Sequence, residues 1–137
     1  MIALLLFLTF AAAPHRPNPD VTPGLTRPLS LHTVCTTRWG RDRRHVTEAM
    51  RRQVFKAYGI PYSRHAQYEL DHLIPRSLAG ADDVLNLWPQ PLGEATHEKD
   101  PLEVKLGKLV CAGSLKLEDA QEAIRSNWPA AHRLYVR

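Results

Sequence analysis

An aspartate followed at once by a histidine, Asp71-His72, then Asn86 fifteen residues beyond the aspartate and His97 eleven beyond that, does little for a hydrophobic core. The same residue types suit chemistry on one divalent cation and one water. A carboxylate and an imidazole together can hold such a cation without selecting strongly among metals. A further imidazole is the one unperturbed side chain that titrates near neutral pH, so it can take a proton from water. An Asp-His step alone carries no weight, because such pairs are common on solvated surfaces. The added residues Pro75, Gly80 and the Asn86-Leu87 step are what make the spacing informative.

The run Asp71-His72-Leu73-Ile74-Pro75, then Leu78-Ala79-Gly80, Asn86-Leu87-Trp88-Pro89-Gln90-Pro91, His97, Lys99-Asp100 and Leu102-Glu103 resembles the HNH endonuclease superfamily. It is most like small secreted bacterial members. The likeness covers roughly residues 68–103. It implies an α+β fold in which a ββα-metal unit is embedded in a small, mainly helical domain. It also implies a metal-dependent endonuclease that hydrolyses DNA phosphodiester bonds. In that reading Asp71 and His97 hold one divalent ion (Mg2+, Mn2+, Ni2+ or Zn2+), which acts as Lewis acid on the phosphate. His72 is the general base, and Asn86 pins the loop that carries it or approaches the metal. Lys99 is a candidate phosphate contact, and equally a lysine at a helix start. The alternative is a basic nucleic-acid-binding domain of the same fold with weak or no catalysis.

These residues need positioning elements. Residues 68–74 read as a short strand and residues 84–88 as a second one stopped by Pro89, a hairpin with a long connection. Neighbouring strand side chains point to opposite faces, so Asp71 and His72 can serve one site only at a strand end or bend. A helix follows, with Leu102, Leu106, Leu109 and Val110 on one stripe. Asp100, Pro101 and Glu103 fit the N-cap, N1 and N3 positions of a capping box, which would put His97 on the preceding turn. The other reading starts the helix near Thr96 and bends it. Upstream, Thr47 caps a helix to Tyr58, ended by Gly59 and Ile60-Pro61, with Met50, Val54, Ala57 and Tyr58 on its inner face. A last helix over residues 118–126 buries Leu117, Ala120, Ala123 and Ile124, and Trp128-Pro129 breaks it. Trp88 and Trp128 read as core anchors.

Charge points to an anionic partner. The 137 residues carry a net +4, with a pI near 9.3. Between Arg38 and Arg64 eight cationic residues face only Asp42 and Glu48, a net +6 in one stretch. Arg51, Arg52 and Lys56 fall on the outer face of the Thr47 helix and are the candidate phosphate contacts, although a solvated helix face would look the same. The expected partner is DNA, with RNA the second candidate; no added recognition module is visible, which implies low sequence specificity.

Residues 1–13 are uncharged and end in three alanines, like the apolar region of a signal peptide. Residues 14–30 hold five prolines and read as an extended linker, with the folded domain spanning 31–137. The expected location is secreted or periplasmic, with no membrane partner once the signal is removed. Cys35 and Cys111 then read as one disulfide, or as two buried thiols if the chain stays in a reducing compartment.

Overall fold

Two antiparallel strands, β1 (Tyr68–His72) and β2 (Leu87–Pro91), lie between helices on both faces. The computed structural model describes residues 16–136, without the side chains of 94–96; the signal-like segment falls outside them. The class is α+β. The helices are α1 (Leu31–Thr36), α2 (Glu48–Ala57), α3 (Leu92–Glu94), α4 (Asp100–Cys111) and α5 (Leu117–Tyr135).

Strand alternation divides the core in two. On one face Tyr68, Leu70 and Leu87 meet Val54 and Phe55 of α2. On the other, Trp88 joins Leu102, Leu106 and Val110 of α4, and Ala120, Ile124, Trp128 and Ala131 of α5. The inner face of α2 is thus carried by Val54 and Phe55, with Thr47 as cap: its hydroxyl accepts the Met50 N–H at 3.2 Å.

Pro89 does not stop the second strand, which begins later than its sequence suggests. Residues 84–86 form a 3-10 turn, and β2 runs through both prolines, with Pro89 opposite Leu70 and Pro91 opposite Tyr68. A proline survives in an antiparallel ladder where its missing N–H would point away from the partner strand. The two prolines are two residues apart, so both use that side. The outward carbonyl of Leu87 accepts from Thr22 Oγ1 at 2.9 Å.

That contact belongs to the segment read as an extended linker, which the structure shows bonded to the folded body. The prolines leave residues 16–30 extended, but the amides between them bond to the body. Gly24 N donates to Leu85 O (2.9 Å), Arg27 N to Ala79 O (2.7 Å), and Ala81 N to Leu25 O (3.0 Å). The Thr22 side chain is buried. The segment is a strap over the back of the loop between β1 and β2.

α4 does not start with a capping box. The chain is already helical at Leu92, passes through a π turn at Ala95–Lys99, and Pro101 sits in the first turn of α4. Proline lacks the N–H that the preceding turn would accept, and a wider π turn carries the chain past this point without ending the helix. Glu103 is then free to pair with Lys99. At the other end, Asn127 leaves helical geometry (φ −163°, ψ 81°), and its side chain accepts the Ala130 N–H at 3.1 Å, restarting the helix at Trp128-Pro129.

Cys35 and Cys111 form a disulfide, with Cα atoms 5.7 Å apart and a sequence separation of 76. Closing so long a loop stabilises the fold by about 4–5 kcal/mol in the chain-entropy model. No helix among the described residues is long and apolar enough to cross a membrane.

Candidate active site

β1 ends at His72, and this ending lets two adjacent residues share one site. Asp71 and His72 both line a cleft of about 350 Å3, with Trp39, Asp42, Arg44, Glu69, Arg76, Asp100 and Glu103 among its walls. A larger cavity, about 780 Å3, lies beside Arg125 and Trp128 and includes none of these residues. We place the chemistry in the smaller cleft, because that is where the imidazole is.

His72 is buried, and its Nε2 lies 2.7 Å from Asp82 Oδ1. The carboxylate can only accept, so Nε2 carries the proton and Nδ1 keeps its lone pair. Among the described residues Nδ1 has no hydrogen-bond partner and is not a sealed buried atom, and His72 lines the cleft. Burial, the largest influence, pushes the imidazole below its ordinary value, against the opposing pull of the Asp82 hydrogen bond. Burial alone would raise the Asp82 carboxyl. Hydrogen bonds from the His45 N–H (2.7 Å) and His72, with the Arg76 charge, bring it below the usual range instead. Arg76 Nε lies 3.1 Å from Asp82 Oδ1, and the same guanidinium also binds Asp42 and the Arg43 carbonyl.

Asn86 holds the loop between the strands. It is fully buried; its Oδ1 accepts the Ile74 N–H at 3.0 Å, and its Nδ2 donates to Ile74 O (2.9 Å) and Ala81 O (3.1 Å). Gly80 makes this possible, because a Cβ there would stand 1.8 Å from Ile74 O and 2.9 Å from Asn86 Nδ2. With a fully bonded amide, Asn86 acts as a clamp on the segment just after His72.

Asp71 is engaged by Lys99, whereas His97 is exposed. Lys99 is fully buried, with Nζ 2.8 Å from Asp71 Oδ2, 2.5 Å from Glu103 Oε1 and 2.7 Å from the His72 carbonyl. Trp88 Nε1 donates to the same Asp71 oxygen at 3.0 Å. His97 precedes Lys99 by two residues within the π turn, and it is exposed where Lys99 is fully buried. Among the described residues, no three His, Cys, Asp or Glu side chains are grouped to hold a metal ion. The Asp71 oxygen expected to ligate a divalent ion is already held by the Lys99 ammonium and the Trp88 N–H, which makes it a poor fit for one. Lys99 also has no surface with which to contact phosphate.

Charge on the α4 wall is crowded. Glu69 is raised above the usual carboxylate range by burial and by Asp71 and Asp100, and Asp100 is raised by burial and Asp71. Glu103 is raised as well, chiefly by burial. Burial would lower Lys99, but Asp71 and Glu103 hold it above its ordinary value, so it remains an ammonium.

The opposite wall is basic. Arg44 Nη2 donates to the Leu70 carbonyl at 2.9 Å and lines the cleft, while Arg38, Arg41 and Arg43 are exposed and form no ion pairs among the described residues. On α2, Arg51 and Arg52 share Glu48 at 3.7 and 3.2 Å, and the Arg52 guanidinium lies over the Tyr62 ring at 4.0 Å. Lys56 is exposed. The cations that line the cleft are thus Arg44, from the loop before α2, and Arg76, from the turn after β1; none comes from α2.

Two residues of this site are absent from the sequence reading in these roles. Asp82 sits in an Asp-Asp turn where either carboxylate could cap the next helix, and Asp83 does so, accepting the Leu85 N–H. Arg44 was one arginine among many; only its reach to Leu70 sets it apart. Compared with protein-family models, curated proteins and solved structures, the chain has no match.

Proposed function

We propose that the protein is an endonuclease that hydrolyses phosphodiester bonds in DNA with little sequence preference. The observation that carries this reading is the His72–Asp82 pair, in which an imidazole fixed in one tautomer presents a free Nδ1 to a cleft with an arginine rim. The neighbouring Asp71, Pro75, Gly80 and Asn86 are the residues of the HNH resemblance, and the β1–β2–α4 order is compatible with a ββα unit.

The chemistry asked of these groups is simple. Arg44, aided by the exposed Arg41 and Arg43, draws the phosphate backbone to the cleft mouth. His72 Nδ1 takes a proton from a water as its oxygen attacks phosphorus. The Asp82 carboxylate stabilises the imidazolium that forms, as the buried carboxylate of a catalytic triad does. The P–O bond to the leaving nucleotide breaks, and its oxygen takes a proton from water in the open cleft. Guanidinium groups offset charge on the phosphoryl oxygens.

Nicking of supercoiled plasmid by the wild type and by His72→Ala tests this. Loss of the base should lower the rate by at least about 10²-fold while DNA binding persists. Equal rates would refute the assignment. Binding without nicking in the wild type would favour a basic nucleic-acid-binding domain, a reading supported by the Lys99 ion pair on the expected metal ligand Asp71.

A further inference from the structure

We propose that the Lys99 ammonium occupies the position of a divalent cation in this cleft, so that the site is assembled and works without one. This deepens the hydrolase reading and rests on it for its activity assay.

Three facts carry the inference. First, the ammonium is completely enclosed, and its contacts among the described residues are oxygens: Asp71 Oδ2 at 2.8 Å, Glu103 Oε1 at 2.5 Å and His72 O at 2.7 Å. Two carboxylates and a carbonyl at such range form a cation's coordination set, here filled by a tetrahedral NH3+ with one hydrogen for each oxygen. Second, the set is tied to the chemistry, since one ligand is the backbone of His72 and another is the residue beside it. Third, His97, the imidazole of the metal reading, is exposed, while Lys99 two residues on is fully buried. Lysine is rarely buried unless paired, because the loss of hydration is severe. A lysine so enclosed must be offset on every hydrogen, as this one is.

The role follows from the geometry. Lys99 does not reach the cleft surface, so it is a positioning residue. It holds the Asp71 side chain and the His72 backbone together and neutralises charge that would otherwise repel a phosphate. Glu69 and Asp100 line the same cleft and, with Asp71, are the groups a competing metal would have to use.

The test combines metal titration with cleavage. Wild-type protein stripped of metal is titrated with Mn2+ and followed by electron paramagnetic resonance. No stoichiometric site is expected, and nicking in EDTA should stay within about 2-fold of the rate with added Mg2+. Lys99→Ala should lose at least about 10²-fold in EDTA, the scale of removing one preorganised electrostatic group. It should also gain a Mn2+ site and recover activity with Mn2+, because Asp71 and Glu103 are freed. Metal-dependent rescue is a readout that damaged folding would not produce. If Lys99→Ala does not fold, the wild-type titration still decides. A stoichiometric Mn2+ site in wild type that disappears in Asp71→Asn or Asp100→Asn overturns the inference, as does nicking abolished by EDTA. Absence of nicking in every condition would defeat the hydrolase reading, while the absence of a wild-type Mn2+ site would still support the Lys99 assignment.

Discussion

Asp82 is the residue on which the proposed base depends, and substituting it separates charge from geometry. His72 Nε2 donates to Oδ1, the Arg76 guanidinium forms an ion pair with the same oxygen, and the His45 N–H donates to Oδ2. In Asp82→Asn the amide oxygen should take the Oδ1 position, where the His72 donor and the Arg76 charge await it, and the NH2 would face the His45 N–H and lose that bond. The His72 tautomer is then preserved, but the imidazolium loses its counter-charge. A hydrogen bond to a charged group contributes about 1.5–3 kcal/mol, which at about 1.4 kcal/mol per decade lowers the rate roughly 10- to 10²-fold. Asp82→Ala removes the acceptor altogether and frees the ring to turn, so its loss should approach that of His72→Ala, about 10²- to 10⁴-fold. The double variant should be no slower than His72→Ala alone, since the two residues act as a unit. Single-turnover plasmid nicking measures the rates, and the nitrogen chemical shifts of the His72 ring report the tautomer without any activity. A wild-type rate in Asp82→Ala, or additive losses in the double variant, would refute the dyad.

Other outcomes follow from the same geometry. Nicking should rise with pH along a limb set by His72 and centred below the ordinary imidazole value of about 6.5, because burial lowers its pKa. The sign for stability is the same: the unfolded chain binds the proton first, so stability is lost as pH falls below about 6.5, measured by urea unfolding across pH. Gly80→Ala must displace the Ile74 carbonyl and should lower unfolding free energy by at least about 1–3 kcal/mol, the range for overpacking; an unchanged value would place the loop elsewhere. Neutralising Arg41, Arg43 and Arg44 together should weaken DNA binding and reduce its salt slope by about one unit per lost contact, more than the Arg51, Arg52 and Lys56 triple. Equal slopes would return the interface to α2.

What could be read from the sequence is what depends on neighbours along the chain. Thr47 and the apolar spacing defined α2, the 76-residue interval between the cysteines did not obscure their pairing, and Asp71 with His72 marked the cleft. Contacts made across the fold were hidden. Nothing near Lys99 announces Asp71, which lies 28 residues earlier, and exposed lysine is the ordinary expectation. Pro89 reads as a strand stop unless the strand is known to have an open edge. Pro101 reads as a helix start unless a π turn precedes it. The strap was obscured by its own prolines, because its bonds come from the residues between them.

That strap bears on the order in which the site is completed. Thr22 meets Leu87 across 65 residues, and Arg27 meets Gly80 across 53. On a growing chain the strap emerges before the loop of Asp82 and Asn86 and has nothing to bind until that loop has been made. Contacts of such sequence separation incur loop-closure entropy early and form late. The hairpin and α2 can assemble from local contacts, whereas the back of the loop between β1 and β2 stays unlatched until the two ends of this long circuit meet. Latching the strap is therefore expected to be a slow step in folding, and its peptide groups among the earliest to exchange hydrogen with solvent in the native protein.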